Sequence, residues 1–174
     1  MNLAVRIDFS YGRCTLAVDW SGSMVTFNAY RLHRSFEELT HAVCQVAEGV
    51  AVSSCRWASG EIAGGVFLDF VADPGDSVNI AVHEFRFDEN ATEYEEIWSA
   101  ERGPVLWRVR IPRAEFIIGF AAALRRARVL YADHSGYLEH WGWLFPDAEF
   151  QRLGDIAQRL GYQPASTADI REAG

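Results

Sequence analysis

The densest group of residues able to do chemistry lies in HSGYLEHWGWLFPDAEF, His134 to Phe150, where two histidines, two tryptophans, a tyrosine and two phenylalanines crowd together. Asp133, His134, Glu139 and His140 are of the types that ligate metals or carry protons. The spacing argues against a metal: His134 and His140 stand six apart, whereas the paired histidines of a helical zinc site stand about four apart on one face. An acid/base reading would use Glu84 or His134 beside a pocket lined by Tyr137, His140, Trp141 and Trp143. The competing reading is packing. Tyr137, Trp141 and Phe145 recur at spacing four, so a short helical piece stopped by Pro146 would turn these rings to one side and close the end of a core. Ser21-Gly22-Ser23 lacks the flanks of a nucleophile elbow. The sequence thus assigns no catalytic residue, no metal ligand and no cofactor.

The charge inventory narrows the chemistry further. All 16 basic residues are arginine, which removes every mechanism that needs a side-chain amine, from Schiff bases to the lysine of a phosphate loop. Arginine holds its charge and offers a planar fork of donors, suited to ion pairs and recognition. The 24 acidic residues give a net charge of −8. Between Glu61 and Glu101 stand 11 acids and only Arg86, a formal −10. Such a block repels phosphate backbones, so nucleic acid is excluded as the expected ligand and a basic protein is favoured. Its centre, Asp88, Glu89, Glu93, Glu95 and Glu96 with Tyr94 and Trp98 interleaved, is the candidate partner-binding surface.

The three cysteines, Cys14, Cys44 and Cys55, are odd in number and follow no zinc or disulfide spacing, so they read as buried, reduced thiols. No apolar run approaches the roughly 20 residues that span a bilayer, and the alternating N-terminus, with Arg6 and Asp8, does not read as a secretory signal. The expectation is a cytoplasmic protein without membrane contact.

The elements that must position these residues follow from periodicity. Leu3, Val5, Ile7 and Phe9, then Leu16, Val18 and Trp20, then Val25, Phe27 and Ala29 alternate across two glycine turns, predicting a three-stranded meander. The period changes at Ser35, which with Glu38 spells a capping box. Phe36, Leu39, Val43 and Val46 then predict an amphipathic helix closed by Gly49. Strands resume over Val52 to Trp57. Val66 to Phe70 and Val78 to Val82 form a hairpin across Asp73-Pro74-Gly75-Asp76. Beyond Val82 the apolar phase slips, which predicts either a β-bulge near His83-Glu84 or a buried Glu84 with a raised pKa. Tyr94 to Ser99 and Val105 to Ile111 read as a second hairpin across Glu101-Arg102-Gly103-Pro104, with Arg108 and Arg110 placed to pair with Glu95 or nearby acids. Pro112 opens a central helix through Phe116, Phe120, Leu124, Ala127 and Tyr131, and a last helix runs from Pro146-Asp147 to Gly161. Consecutive antiparallel hairpins with about three segregated helices make an α+β fold. At 174 residues a single domain is expected over 1–161, followed by a polar tail over 162–174.

CRW at Cys55 to Trp57, VFLDF at Val66 to Phe70, VNIAVHEFRF at Val78 to Phe87 and GYLEHWGWLFP at Gly136 to Pro146 resemble, in this order, a family of small bacterial single-domain proteins with no established activity. The resemblance covers roughly 34–160. It implies no catalytic residues. In size, acidity and architecture the family is similar to immunity proteins that neutralise bacterial toxins, which implies an interaction protein. Small-molecule binding or hydrolysis at 134–145, and a purely structural role, stand as alternatives.

Overall fold

The computed structural model describes residues 3–59, 64–86, 100–132 and 137–173. Two antiparallel sheets and the helices packed on them make the chain α+β. The first sheet is the meander β1 (Ala4–Ser10), β2 (Arg13–Trp20) and β3 (Ser23–Tyr30), in that order. Helix α1 (Ser35–Ala47) then leads to the second sheet, β4 (Val52–Ala58), β5 (Gly65–Asp73), β6 (Ser77–Arg86) and β7 (Glu101–Pro112), also in sequence order. Helix α2 (Arg113–Ala127) continues through a π turn at Arg128–Ala132. The short α3 (Tyr137–Trp141), α4 (Asp147–Arg159) and α5 (Thr167–Glu172) follow.

Register explains why one face of the meander is apolar. Val5 opposes Val18, Ile7 opposes Leu16, and Phe9 opposes Cys14, while Leu16 opposes Phe27 on the far side. Every second residue is thereby delivered to one core that also receives Val66, Leu68, Phe70, Val78, Ile80, Val82 and Ile111 from the second sheet. Helices α1 and α2 fill it with Phe36, Leu39, Val43, Phe116, Phe120 and Leu124. Polar ties fix the layers. Trp107 donates its indole N–H to Ser23 Oγ at 2.8 Å, joining the two sheets. Arg126 and the Tyr131 hydroxyl both donate to Asp8 Oδ1 at 3.0 Å, joining the α2 region to β1. The Arg113 guanidinium caps the end of α1 through the carbonyls of Val46 and Ala47.

The β-bulge expected near His83-Glu84 is present in the pairing of β6 with β7, and it leaves Phe85 on the face opposite Val82. On its other edge β6 runs in unbroken register against β5 as far as Val66 opposite Glu84, so the side chains of β6 itself keep alternating. Its pairing with β7 slips between Val82 and His83 and again between His83 and Phe85, each time with the extra residue on β7. Phe85 is buried on the outer face of the sheet, its ring 4.8 Å from that of Phe67 in a second small cluster with Ala58. Glu84 is exposed, so the buried-acid reading is corrected.

Two further expectations need revision. Glu101-Arg102-Gly103-Pro104 is not a turn but the start of β7, because the bulges absorb Gly103 and Pro104 within the strand. The strand expected over Tyr94 to Ser99 lies outside the described residues. The stretch read as a polar tail contains α5, opened by a capping box between Ser166 and Asp169, and it buries Ile170.

Candidate functional site

Helix α3 carries the first rings of the aromatic segment into the core. Tyr137 and Trp141 project from one side of this single turn into the core, their rings 5.2 and 5.3 Å from that of Phe9 in edge-to-face contacts. Trp141 is 1% exposed and Tyr137 8%. Phe145 follows, 5.6 Å from Phe36. These rings are the plug at the end of the core, and burial at this scale is how large aromatics stabilise a fold.

The plug has a polar seam. Trp141 Nε1 donates to Glu37 Oε1 at 3.1 Å, while Glu37 Oε2 and the Tyr137 hydroxyl are buried with no hydrogen-bond partner. Burial pushes the Glu37 carboxyl above its usual range, partly offset by the Trp141 bond and by Arg34 nearby. Burial likewise raises the Tyr137 phenol, with Glu37 adding to the shift, and raises the fully buried Cys14 thiol. All three cysteines are buried and unpaired.

Trp143 behaves differently from its neighbours. It sits half-exposed beyond α3, donates Nε1–H to the Arg31 carbonyl at 2.8 Å, and carries the Arg34 guanidinium 5.1 Å over its ring. Together with Leu32, His33, Ser35 and Glu38 it lines a hollow of about 110 Å³. On the other side of Leu32 opens a second hollow of about 420 Å³, bounded by Tyr11, Gly12, Tyr30 and Arg31. Three connections meet here. The Arg31 amide donates to the Gly12 carbonyl at 2.8 Å, holding the β1–β2 turn against the β3–α1 connection, and Trp143 adds the α3–α4 connection.

The residues expected to cap α1 shape this site instead. Ser35 Oγ accepts the Ala58 amide at 3.1 Å and Glu38 Oε2 accepts the Arg56 amide at 3.0 Å, so both side chains stitch the start of α1 to β4. No side chain caps the helix, whose N-cap is Arg34. Arg13 donates to the Tyr30 hydroxyl at 2.6 Å and lies over the same ring. His33 is half-buried, and burial lowers its pKa, with Glu38 pulling the other way.

The structure therefore separates the four pocket residues named from sequence. Tyr137 and Trp141 belong to the core, Trp143 faces a hollow, and the His140 side chain lies outside what the structure describes, as do Asp133, His134 and the Glu139 side chain. Among the described residues, no three histidine, cysteine or carboxylate side chains come together to hold a metal ion. His41, on the exposed side of α1, stands 3.7 Å from Glu149.

The acidic surface is partly visible. Asp88, Glu89, Glu93, Tyr94, Glu95, Glu96 and Trp98 lie outside the described residues. Asp69, on the outer face of the second sheet, takes both Arg102 Nε and Nη2 at 2.6 and 2.8 Å, with His83 Nε2 at 3.6 Å. Asp73 meets Arg110 at 3.1 Å and accepts from Asn79 at 3.0 Å. Arg110 was expected to serve Glu95 or a neighbour; in register with Asn79 it serves Asp73 across β6. Asp76, Glu84 and Glu101 are exposed.

No family model matches this chain, and neither a curated protein nor a solved structure matches it. The site has to be read from its own chemistry. No helix among the described residues is long and apolar enough to cross a membrane.

Sequence reasoning missed the Leu32 cleft. Its signal was present in YRLHRS, Tyr30 to Ser35, where two arginines, a histidine and an exposed leucine fill a strand-to-helix connection. A connection built for tight turning alone favours Gly, Asn, Asp or Pro.

Proposed function

We propose that this chain is a cytosolic interaction protein that binds a basic protein partner through the acidic segment centred on Asp88 to Glu96, in the manner of an immunity protein that neutralises a cationic toxin. Residues 87–99 hold five carboxylates, Phe87, Tyr94 and Trp98, and no basic residue. The observation that carries the reading is where the neighbouring arginines go. Arg102 and Arg110 are engaged by Asp69 and Asp73, so these guanidinium groups are held by other acids. Asp69 and Asp73 drop out of the recognition surface by the same contacts, while 88–96 keeps five carboxylates with no arginine among them. Carboxylates in water steer a cationic partner by long-range attraction, and Tyr94 and Trp98 supply anchors that gain most when desolvated.

Binding rather than catalysis is also the better use of the aromatic segment. Two of its rings are core, and Glu84, the acid proposed to work beside them, is exposed on β6. Among the described residues of that segment, Trp143 alone keeps the small-molecule reading in view, through the hollow it lines.

The test compares the wild-type chain with a variant carrying Asp88→Asn, Glu89→Gln, Glu93→Gln, Glu95→Gln and Glu96→Gln, each immobilised and exposed to lysate of the source cell at low and high salt. The wild type retains a basic protein at low salt, loses most of it at high salt, and the variant retains little at either. Equal retention by both chains, or no basic protein on either, removes the proposal.

A further inference from the structure

We propose that the twin hollow around Leu32 is a docking site for an acidic peptide segment of a partner protein, one that presents an apolar side chain next to carboxylates. This surface is built from residues outside the 88–98 segment and is opposite to it in sign.

The shape favours an extended chain. The two hollows, about 420 and 110 Å³, share Leu32 as their dividing wall. Successive side chains of an extended peptide fall on either side of such a ridge. The wall is apolar where a solvated surface has no need to be: Leu32, which lines both hollows, is 70% exposed.

Tyr11 supplies an independent observation. It stands at φ +42°, in the left-handed region that disfavours a bulky residue, at the first position of a turn with Gly12 at φ +78°. Asn, Asp or Gly would relieve the strain, of order 1 kcal/mol. The ring is 89% exposed, so core packing does not require it. At the wall of the larger hollow this ring offers apolar contact surface to a bound side chain.

The charge of the site selects an acid. Arg34 stacks on Trp143 and Arg13 backs Tyr30. The carboxylate lining the smaller hollow, Glu38, is turned to the Arg56 amide.

Fluorescence anisotropy of the full chain decides it, using a fluorescein-labelled hexapeptide Glu-Glu-Leu-Glu-Glu-Trp and its Gln-for-Glu counterpart as probes. The acidic probe binds, and the neutral one binds about tenfold more weakly or worse. Arg34→Glu and Leu32→Asp each weaken the acidic probe about tenfold, and Leu32→Asp, at a position 70% exposed, leaves the melting temperature in place. Equal affinity for the two probes, no binding up to about 1 mM, or unchanged affinity in Arg34→Glu overturns the proposal. So does stronger competition by an oligouridylate than by the peptide, which would make the site one for nucleic acid. Self-association of the chain that Arg34→Glu abolishes would overturn it in favour of a second copy. Arg34→Glu should leave retention of the basic partner intact, so failure here and failure of the 88–96 reading remain distinct results.

Discussion

Glu37 holds the indole of Trp141 with one carboxylate oxygen and leaves the other buried without a partner. The carboxyl is therefore poised against its own charge. Its folded pKa lies above the unfolded value because burial penalises the anion. The folded state then binds the proton more tightly than the unfolded chain does. The stabilisation this gives is present below the unfolded value, about pH 4, and is lost as pH rises through the raised value. Glu37→Gln keeps an acceptor for Trp141 and removes the charge. Thermal unfolding from pH 4 to 8 should show a flatter loss of stability above pH 4 for the variant, and a melting temperature at pH 7 raised by about 2–4 °C. A lower melting temperature at pH 7 would mean that the anion is wanted.

Asp8 has the opposite sign. Burial works to raise its pKa, but Arg126, Arg6 and the Tyr131 hydroxyl outweigh it and hold the carboxyl below its usual value. Its stabilisation is complete above the unfolded value, about pH 4, and disappears as pH falls through the lower folded one. Arg126→Met should lessen the steepness of acid unfolding below pH 4, read by circular dichroism, while costing about 1 kcal/mol at pH 7.

Trp141 and Trp143 are two residues apart and should respond to truncation in unlike ways. Trp141→Ala empties a fully buried site and should cost about 3–5 kcal/mol in urea unfolding. Trp143→Ala removes a half-exposed ring with one backbone bond and should cost about 1 kcal/mol. Comparable losses would mean that the division between core plug and surface hollow is misplaced.

Much of the fold was legible because its signals are periodic. Alternation along Leu3 to Ala29 and along Val66 to Val82 fixed strands and faces, and the three-to-four spacing of Phe36 to Val46 and Phe116 to Tyr131 fixed helices. The misreadings share one cause, in that a local pattern has more than one possible partner. Ser35 and Glu38 spell a helix cap, yet the nearer donors are the amides of Ala58 and Arg56 on β4. The change of phase at Phe85 records a second buried face beside Phe67, which a one-faced reading of the strand could not show. The aromatic run was recognised as a plug or a pocket. What separates Trp141 from Trp143 is the end of α3 at Trp141, followed by Gly142 at φ +87°, which frees the later ring from the helical side.

The stitch at the start of α1 can be tested alone. Ser35→Ala leaves the buried Ala58 amide without its acceptor and should cost about 1–3 kcal/mol in urea unfolding. Ser35→Thr, which keeps the oxygen, should recover most of it. If Ser35→Ala unfolds like the wild type, the link between α1 and β4 is carried elsewhere.

Binding of a basic partner as proposed requires the carboxylates of 88–96 to be open to water, whereas Asp69 and Asp73 are neutralised by the chain's own arginines. Carbodiimide coupling of glycine ethyl ester to the native protein, read residue by residue by mass spectrometry, measures this directly. The account predicts fast labelling of Asp88, Glu89, Glu93, Glu95 and Glu96 and slow labelling of Asp69 and Asp73. Labelling of the five at the slow rate of Asp69 would contradict it.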